Sequence, residues 1–384
     1  MLASLDIGSR GRVRPWQKLA QVNWAMVLLI CLVASVGFVM LYSAAGGNFD
    51  PWADRQMVRF AVGVMMMLSV AVVDLRTWLR YAYLIYAGAL ALLLAVEVAG
   101  EIGMGAQRWI DLGFFQLQPS ELMKVALVMA LARYFHGLEA DQVGRILPLV
   151  PPLLLVGMPA LLVLKQPDLG TAGMLIMGGG ALFFAAGVRL WKFGVLLAAG
   201  LAAIPVAWNL LHDYQKNRVL TFLDPERDPL GSGYHILQSK IAFGSGGEFG
   251  KGYLLGTQSH LNFLPEKQTD FIFTMLAEEF GLVGAVTLLL IYAVLIGYGY
   301  AIALRSRSHF GRLLALGLTF NLFLFVFINT AMVMGIIPVV GVPLPLISYG
   351  GTAMLTVLIG FGLIMSVYVH RDGRIGRYGL SDDS

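Results

Sequence analysis

Charge is scarce in this chain: only 13% of its 384 residues are Asp, Glu, Lys or Arg, where a soluble domain carries about 25%. That shortage of polar surface excludes a water-soluble fold. Cysteine is rarer still. The single Cys31 lies inside the first apolar run, so no intrachain disulfide and no cysteine-based metal centre can form. There is no large cationic excess either, because 27 Lys and Arg meet 23 Asp and Glu for a net charge of +4, and nucleic acid is not an expected partner. Apolar residues are abundant, at 58% of the chain with a mean hydropathy of +0.75 spread along its whole length. Disorder, collagen and outer-membrane barrels are thereby excluded, and a multi-span helical membrane protein is what remains.

Ten apolar runs bounded by charge or by Pro/Gly clusters are candidate spans: 24–44, 60–73, 81–99, 120–135, 147–164, 171–188, 193–211, 271–304, 313–337 and 349–369. The expected fold is an all-α integral membrane protein of about ten transmembrane helices, with a large extracytoplasmic loop between helices seven and eight. Its organisation reads as a basic cytoplasmic segment (1–23), helices one to seven (24–211), the loop (212–270), helices eight to ten (271–369) and a cytoplasmic tail (370–384). Arg10, Arg12, Arg14 and Lys18 before the first run, with Ser43-Ala44-Ala45 at its end, mimic a signal peptide. The run is too long for one and reads as an uncleaved span. Sixteen of the 27 cations fall on the same side as both termini, whereas the short loops opposite hold only Arg55, Arg59, Arg108 and Lys165. Cytoplasmic loops collect Lys and Arg, so both termini are assigned inside and the long loop outside.

The polar motifs gather on the outer side. Gly105-Ala106-Gln107-Arg108-Trp109 runs on to Gln118-Pro119-Ser120-Glu121-Leu122-Met123-Lys124, joining a loop to a helix start. Pro119 and Ser120 are ordinary start signals, and Glu121 sits in the first turn, where the helix dipole favours an anion. Glu121 and Lys124 are three residues apart, so one helix face carries both charges toward the membrane, as a functional environment or as a buried structural pair. Lys165-Gln166-Pro167-Asp168-Leu169-Gly170-Thr171 offers Asp168 and Thr171 as helix caps or as sugar contacts.

The long loop holds Gln215-Lys216-Asn217-Arg218, a turn at Asp224-Pro225-Glu226-Arg227-Asp228-Pro229 without EF-hand spacing, and Tyr234-His235-Ile236-Leu237-Gln238-Ser239-Lys240. Gly244-Ser245-Gly246-Gly247-Glu248-Phe249-Gly250-Lys251-Gly252 lacks two required positions of a P-loop and reads as flexible loop with tight turns. Leu264-Pro265-Glu266-Lys267-Gln268-Thr269-Asp270 meets the eighth span. Asp270 there is an N-cap or a general base at the mouth of an outer cavity, with the helix dipole lowering its pKa and burial raising it. Finally, Asn329 precedes an uncharged Pro/Gly-rich stretch from Pro338 to Ser348-Tyr349-Gly350-Gly351. That stretch cannot be regular helix, and its freed backbone groups must face protein or water.

Taken together, Gly-Ala-Gln-Arg-Trp, Gln-Pro-Ser-Glu, Gln-Pro-Asp-Leu-Gly-Thr, Phe-Leu-Asp-Pro, Gly-Thr-Gln-Ser-His-Leu-Asn-Phe-Leu-Pro-Glu, Thr-Asp-Phe-Ile-Phe and Pro-Leu-Ile-Ser-Tyr-Gly-Gly resemble the SEDS (shape, elongation, division and sporulation) family over almost the whole chain. The stretch from Gly335 to Leu346 and the ending Met365-Ser366-Val367-Tyr368-Val369-His370-Arg371 are more similar to its rod-shape branch than to its division branch. The resemblance implies a ten-span glycosyltransferase of the bacterial inner membrane that polymerises lipid II into peptidoglycan strands during cell elongation. It also implies a class B penicillin-binding protein as crosslinking partner, beside other elongation-complex membrane proteins and membrane lipid. Asp270 falls where the family has an essential acidic residue, and Arg108, Glu121 and Lys124 fall in matching motifs beside it. Lys267-Gln268 stands where relatives often carry Arg-His, so the resemblance assigns those two positions no role.

The residue types suit that chemistry. One base, Asp270, would take the proton of an attacking sugar hydroxyl, and some of Arg108, Lys124, Lys216, Arg218 and Lys240 would neutralise a departing pyrophosphate, with or without a divalent ion such as Mg or Mn. Gln238 and Ser348 are further substrate-contact candidates. Other readings are a transporter of the lipid-linked precursor and a non-catalytic scaffold. A translocation route would place ionisable groups through the midplane, whereas here they collect on one side.

Overall fold

A computed structural model of the chain describes residues 15–103, 106–111, 113, 116–210, 216–217, 220–222, 224, 232–260, 266–373 and 375–376. In chain order its helices are α1 (Pro15–Ala20), α2 (Trp24–Ala44), α3 (Ala53–Val72), α4 (Leu75–Ala99), α5 (Pro119–Gly137), α6 (Ala140–Val143), α7 (Val150–Lys165), α8 (Leu169–Ala185), α9 (Leu190–Leu210), α10 (Ser232–Gly246), α11 (Thr257–His260), α12 (Ile272–Arg305), α13 (His309–Val333) and α14 (Gly351–Val369). Seven of these are long and apolar enough to cross a membrane, and α8 and α9 are shorter apolar helices. With α5, which carries Glu121 and Lys124 in its first turns, ten helices make up the membrane bundle, the number the apolar runs gave. Several begin earlier than the runs did, α3 at Ala53 and α4 at Leu75, because a helix continues past the hydrocarbon into its polar first turns.

The core of the bundle is α5 and α13, both buried along most of their length. Around them α14 packs on α3, α4 on α5, α7 on α8, and α12 on α13 and α2. The loop between α4 and α5 forms a small antiparallel sheet in the order β1 (Glu101–Gly103), β2 (Ala106–Asp111), β3 (Gln116–Leu117), with Ile110 opposite Leu117. Sequence reading placed only loop there. The sheet lets exposed backbone pair with itself at the end of the bundle.

Two expectations are corrected. The eighth span is not one continuous helix: Gly281, at φ 66° and ψ −164°, breaks α12 about ten residues in. Nor does Gly244 to Gly252 form a flexible loop. Residues up to Gly246 are the end of α10, and residues 247–252 are spliced into the break, with Lys251 N and Gly252 N donating to the carbonyls of Glu278 and Glu279 at 3.0 Å each, and Leu282 N and Val283 N donating to those of Gly247 and Glu248 at 2.9 and 3.0 Å. The interrupted helix thus regains partners for groups it cannot leave unpaired in an apolar setting. Glu278, fully buried, completes the splice by accepting from Lys251 Nζ at 2.8 Å, Thr257 Oγ1 at 3.1 Å and Gln258 N at 3.0 Å.

A Cβ at Gly281 would lie 2.4 Å from Gly250 N and 2.5 Å from Glu248 O. Gly281→Ala therefore adds a steric clash to a left-handed backbone costing about 1–2 kcal/mol. It should lower the thermal unfolding midpoint of the detergent-solubilised protein, whereas Gly244→Ala, with no atom within 4 Å of its Cβ position, should leave it unchanged.

Candidate functional site

Asp270 closes a tight turn that starts at Glu266, a non-glycine residue at φ 54°. Thr269 N donates to Glu266 O at 3.0 Å, and Thr269 Oγ1 donates to Glu266 Oε2 at 2.9 Å. The turn leads into 271–279, where every residue is buried. Asp270 is not the N-cap of α12: that position is Phe271, which makes no side-chain cap. The carboxylate is thus not committed to capping.

The segment 338–350 forms the other wall. Asn329, fully buried on α13, donates from Nδ2 to Asp270 O at 3.0 Å and to Val342 O at 2.7 Å. Ser348 Oγ donates to Thr269 O at 2.6 Å and accepts from Leu344 N at 2.8 Å, while Tyr349 N donates to Gln268 O at 2.8 Å. The Ser348 hydroxyl thus clamps the Asp270 turn. Gly341 adjoins the acid, since a Cβ there would be 3.5 Å from Asp270 Oδ2.

Burial pushes the Asp270 carboxyl up to about 6, and the negative charges of Glu266 and then Asp168 push the same way. Desolvation and neighbouring carboxylates outweigh the dipole of the adjoining helix α12. Asp168 is held as the cap of α8, accepting from Thr171 N at 3.0 Å and Thr171 Oγ1 at 2.9 Å. Of the two readings for this motif, capping is the one observed. Arg108 on β2 braces the preceding turn, donating from Nε to Gln166 O at 3.0 Å and from Nη2 to Pro167 O. Gly170 packs α8 against the 338–350 wall, where a Cβ would lie 2.7 Å from Val340 O. Arg108, Asp168 and Asp270 consequently share one end of the bundle. Lys267, in the same turn, has its pKa lowered by burial.

Glu121 and Lys124 form a buried ion pair at 2.7 Å, with side-chain exposures of 4% and 3%. Lys124 Nζ also lies 3.9 Å from the centre of the Phe325 ring. A cavity of about 30 Å³ beside them is lined by Glu121, Lys124, Asn321 and Thr356, enough for a water or two. Among the described residues, Glu121 Oε2 and Thr356 Oγ1 have no hydrogen-bond partner.

The remaining candidates are less well gathered. Lys240 is exposed and Gln238 partly so, on α10, and the residue between them is buried: Ser239 bonds Thr274 Oγ1 at 2.8 Å and Val333 O at 2.6 Å. Lys216 is partly exposed, and Arg218 lies outside the described residues. Among the described residues no group of three His, Cys, Asp or Glu is arranged to hold a metal ion.

Two residues of α3 were missed. Gln56, fully buried, donates from Nε2 to Ser348 O at 2.9 Å. The Arg59 guanidinium stacks 4.9 Å from the Tyr349 ring centre and lies beside Gly351. A Gln and an Arg at the start of an apolar run gave only one signal, polarity where hydrocarbon was expected, and topology counting absorbed it.

Glu121→Gln leaves the Lys124 charge buried and unpaired, and should destabilise the protein by about 3–5 kcal/mol, with Lys124→Met costing a similar amount. The double variant should recover much of that loss. The check is the unfolding midpoint of all three in detergent.

Residues 23–373 match the family described as Cell cycle protein, FtsW/RodA/SpoVE. The chain is 44% identical over 365 residues to the peptidoglycan glycosyltransferase MrdB of Escherichia coli, covering 93% of this chain and 95% of that one. It is 36% identical over 352 residues to stage V sporulation protein E of Bacillus subtilis, covering 89% and 95%. Among solved structures it is similar to a chain from a peptidoglycan synthase complex that coordinates polymerization and crosslinking, with a TM-score of 0.80, 34% identity and coverage of 91% and 98%. It is also similar to the rod shape determining protein RodA of Thermus thermophilus, with a TM-score of 0.69, 30% identity and coverage of 91% and 97%.

Proposed function

Since the chain belongs to the FtsW/RodA/SpoVE family of cell cycle proteins, we propose that it is a peptidoglycan glycosyltransferase that polymerises lipid II in the elongation machinery, with Asp270 as its general base. The observation that carries the residue assignment is a carboxylate in the turn that leads into α12, uncommitted to capping and pushed up to about 6 by burial and two acidic neighbours. A base poised near the working pH combines adequate ionisation with useful basicity.

In the proposed step the 4-hydroxyl of an N-acetylglucosamine unit attacks the anomeric carbon of an N-acetylmuramic acid. Its proton passes to Asp270, the new carbon–oxygen bond forms as the bond to the lipid pyrophosphate breaks, and the configuration at that carbon inverts. The pyrophosphate leaves with extra negative charge, which fixed cations at the same end of the bundle stabilise. Arg108 and Arg59 are the cations set against the walls of the Asp270 site. Lys124, tied to Glu121, acts as a buried positive charge on α5, and Lys216, Arg218 and Lys240 would act only through the outer loop. A class B penicillin-binding protein is proposed as the crosslinking partner, which the likeness to a peptidoglycan synthase complex supports. The membrane is the bacterial inner membrane, with both termini inside and the Asp270 face outside, a reading supported by the distribution of Lys and Arg.

Asp270→Asn should reduce lipid II polymerisation by about 100-fold or more, assayed with a partner whose transpeptidase is blocked, while thermal unfolding stays close to wild type. Full activity in the folded variant would remove Asp270 as base. Because the carboxyl is protonated below about 6 and charged above it, the wild-type rate should climb as pH rises through about 6 and level off beyond, and a rate that falls over that interval would contradict the assignment. Reporter fusions after Arg189 and after Gly231 should report opposite sides of the membrane; the same side would overturn the topology.

A further inference from the structure

The bundle end opposite Asp270 carries cations that the proposed reaction does not use. The helix α7 connects the two ends, running from Val150 to Lys165, next to the turn that Arg108 braces. At its Val150 end, α6 gives way to the turn Gly144-Arg145. Lys192 at the start of α9, only 9% exposed, donates from Nζ to the carbonyls of Gly144 and Arg145 at 3.0 and 2.9 Å. The guanidinium of Arg189 lies over the same turn, its Nε and Nη2 being 3.5 and 3.6 Å from where a Cβ of Gly144 would stand.

Three cations therefore converge on one turn. The carboxylate paired with them among the described residues is Asp141, 3.2 Å from Arg145, with both side chains more than half exposed at 61% and 71%. Such a pair is worth about 1 kcal/mol at most, so Arg145 and Arg189 keep most of their charge available. Around the turn, Ile146, Leu147, Val150, Leu190 and Trp191 are 68%, 81%, 44%, 68% and 56% exposed. They sit where α7 and α9 begin, at the level where a span passes from headgroups into hydrocarbon and where Trp commonly lies.

The sidedness of positive charge explains why cations occur at this end. It does not explain why two arginines and a buried lysine meet at one glycine turn inside an apolar rim. We propose that the Gly144-Arg145 turn, with Arg189 and Lys192, is a binding site for the phosphate of an anionic phospholipid. Arg145 and Arg189 grip the phosphate oxygens through their planar donors, Lys192 holds the turn in place, and the acyl chains run past Leu147, Leu190 and Trp191. An acidic soluble protein would meet the same charges but would have to cover the apolar rim that hydrocarbon covers without cost.

The test uses the full-length protein in mild detergent, titrated separately with phosphatidylglycerol, phosphatidylcholine and a poly-glutamate peptide, with binding read by native mass spectrometry. Wild type should prefer phosphatidylglycerol to both others. Arg145→Gln with Arg189→Gln should weaken phosphatidylglycerol binding about thirtyfold, the effect of two cations acting near a membrane surface. A charge-matched control, Arg305→Gln with Arg312→Gln, should retain it. Equal binding of phosphatidylcholine, equal loss in the control, unchanged binding in the double variant or preference for the peptide would each overturn the proposal. Should the double variant not fold, Asp141→Asn, which releases Arg145 from its carboxylate, should bind phosphatidylglycerol more tightly, and unchanged binding there would overturn it as well.

Discussion

The Asn329 carboxamide joins the two stretches of non-helical chain on which the candidate site is built. It donates 3.0 Å to the carbonyl of Asp270 and 2.7 Å to that of Val342, so this one side chain bonds both the turn before α12 and the wall after α13. Carbonyls at membrane depth without a partner are expensive, and irregular backbone survives there only where protein or enclosed water satisfies it. The same demand explains the neighbouring bonds: Ser348 and Tyr349 hold the other carbonyls of the turn, and Gln56 reaches across from α3 to hold Ser348. Among the described residues Asn329 Oδ1 has no partner, and a buried acceptor left so costs about 1–3 kcal/mol.

Given that junction, the electrostatics of Asp270 are set by its surroundings. Its neighbours in charge are Glu266 and Asp168, and both oppose ionisation. Neither can move away easily: Glu266 is fixed by Thr269, and Asp168 by its cap on α8. A carboxyl at the start of a helix would ordinarily be stabilised as an anion by the dipole. Here the cap position passes to Phe271, desolvation dominates, and the acid is left able to exchange a proton near neutral pH.

Much of the architecture was legible because hydrophobicity and charge act locally. Apolar runs gave the ten helices, Pro119 marked the start of α5, and Asp168 capped α8 as its spacing to Thr171 suggested. The pairing of Glu121 with Lys124 was also legible, since three residues along a helix bring side chains together wherever the helix lies. What could not be read were partners chosen across the chain. Nothing near Gln56 announces Ser348, and nothing near Ser43 announces Glu279, to which its hydroxyl donates. The glycine run before Lys251 had the composition of a mobile loop, yet its glycines serve close backbone approach to a helix break more than two dozen residues away. Asp270 was singled out by local chemistry only as one of two alternatives, and the family resemblance favoured the base.

The break at Gly281 ties these points together. An unbroken α12 would carry the direction of its membrane portion straight up to Asp270, and the turn could not also meet Asn329, Ser348 and Gly341 unless that one direction suited all three. Splitting the helix lets the segment from Ile272 to Phe280 be aimed separately, and the splice with residues 247–252 returns the hydrogen bonds that the split removes. Glu278 then locks the splice with three donors from Lys251, Thr257 and Gln258. Residues 247–258 therefore act on the site through the splice, by fixing the orientation of the segment that bears Asp270.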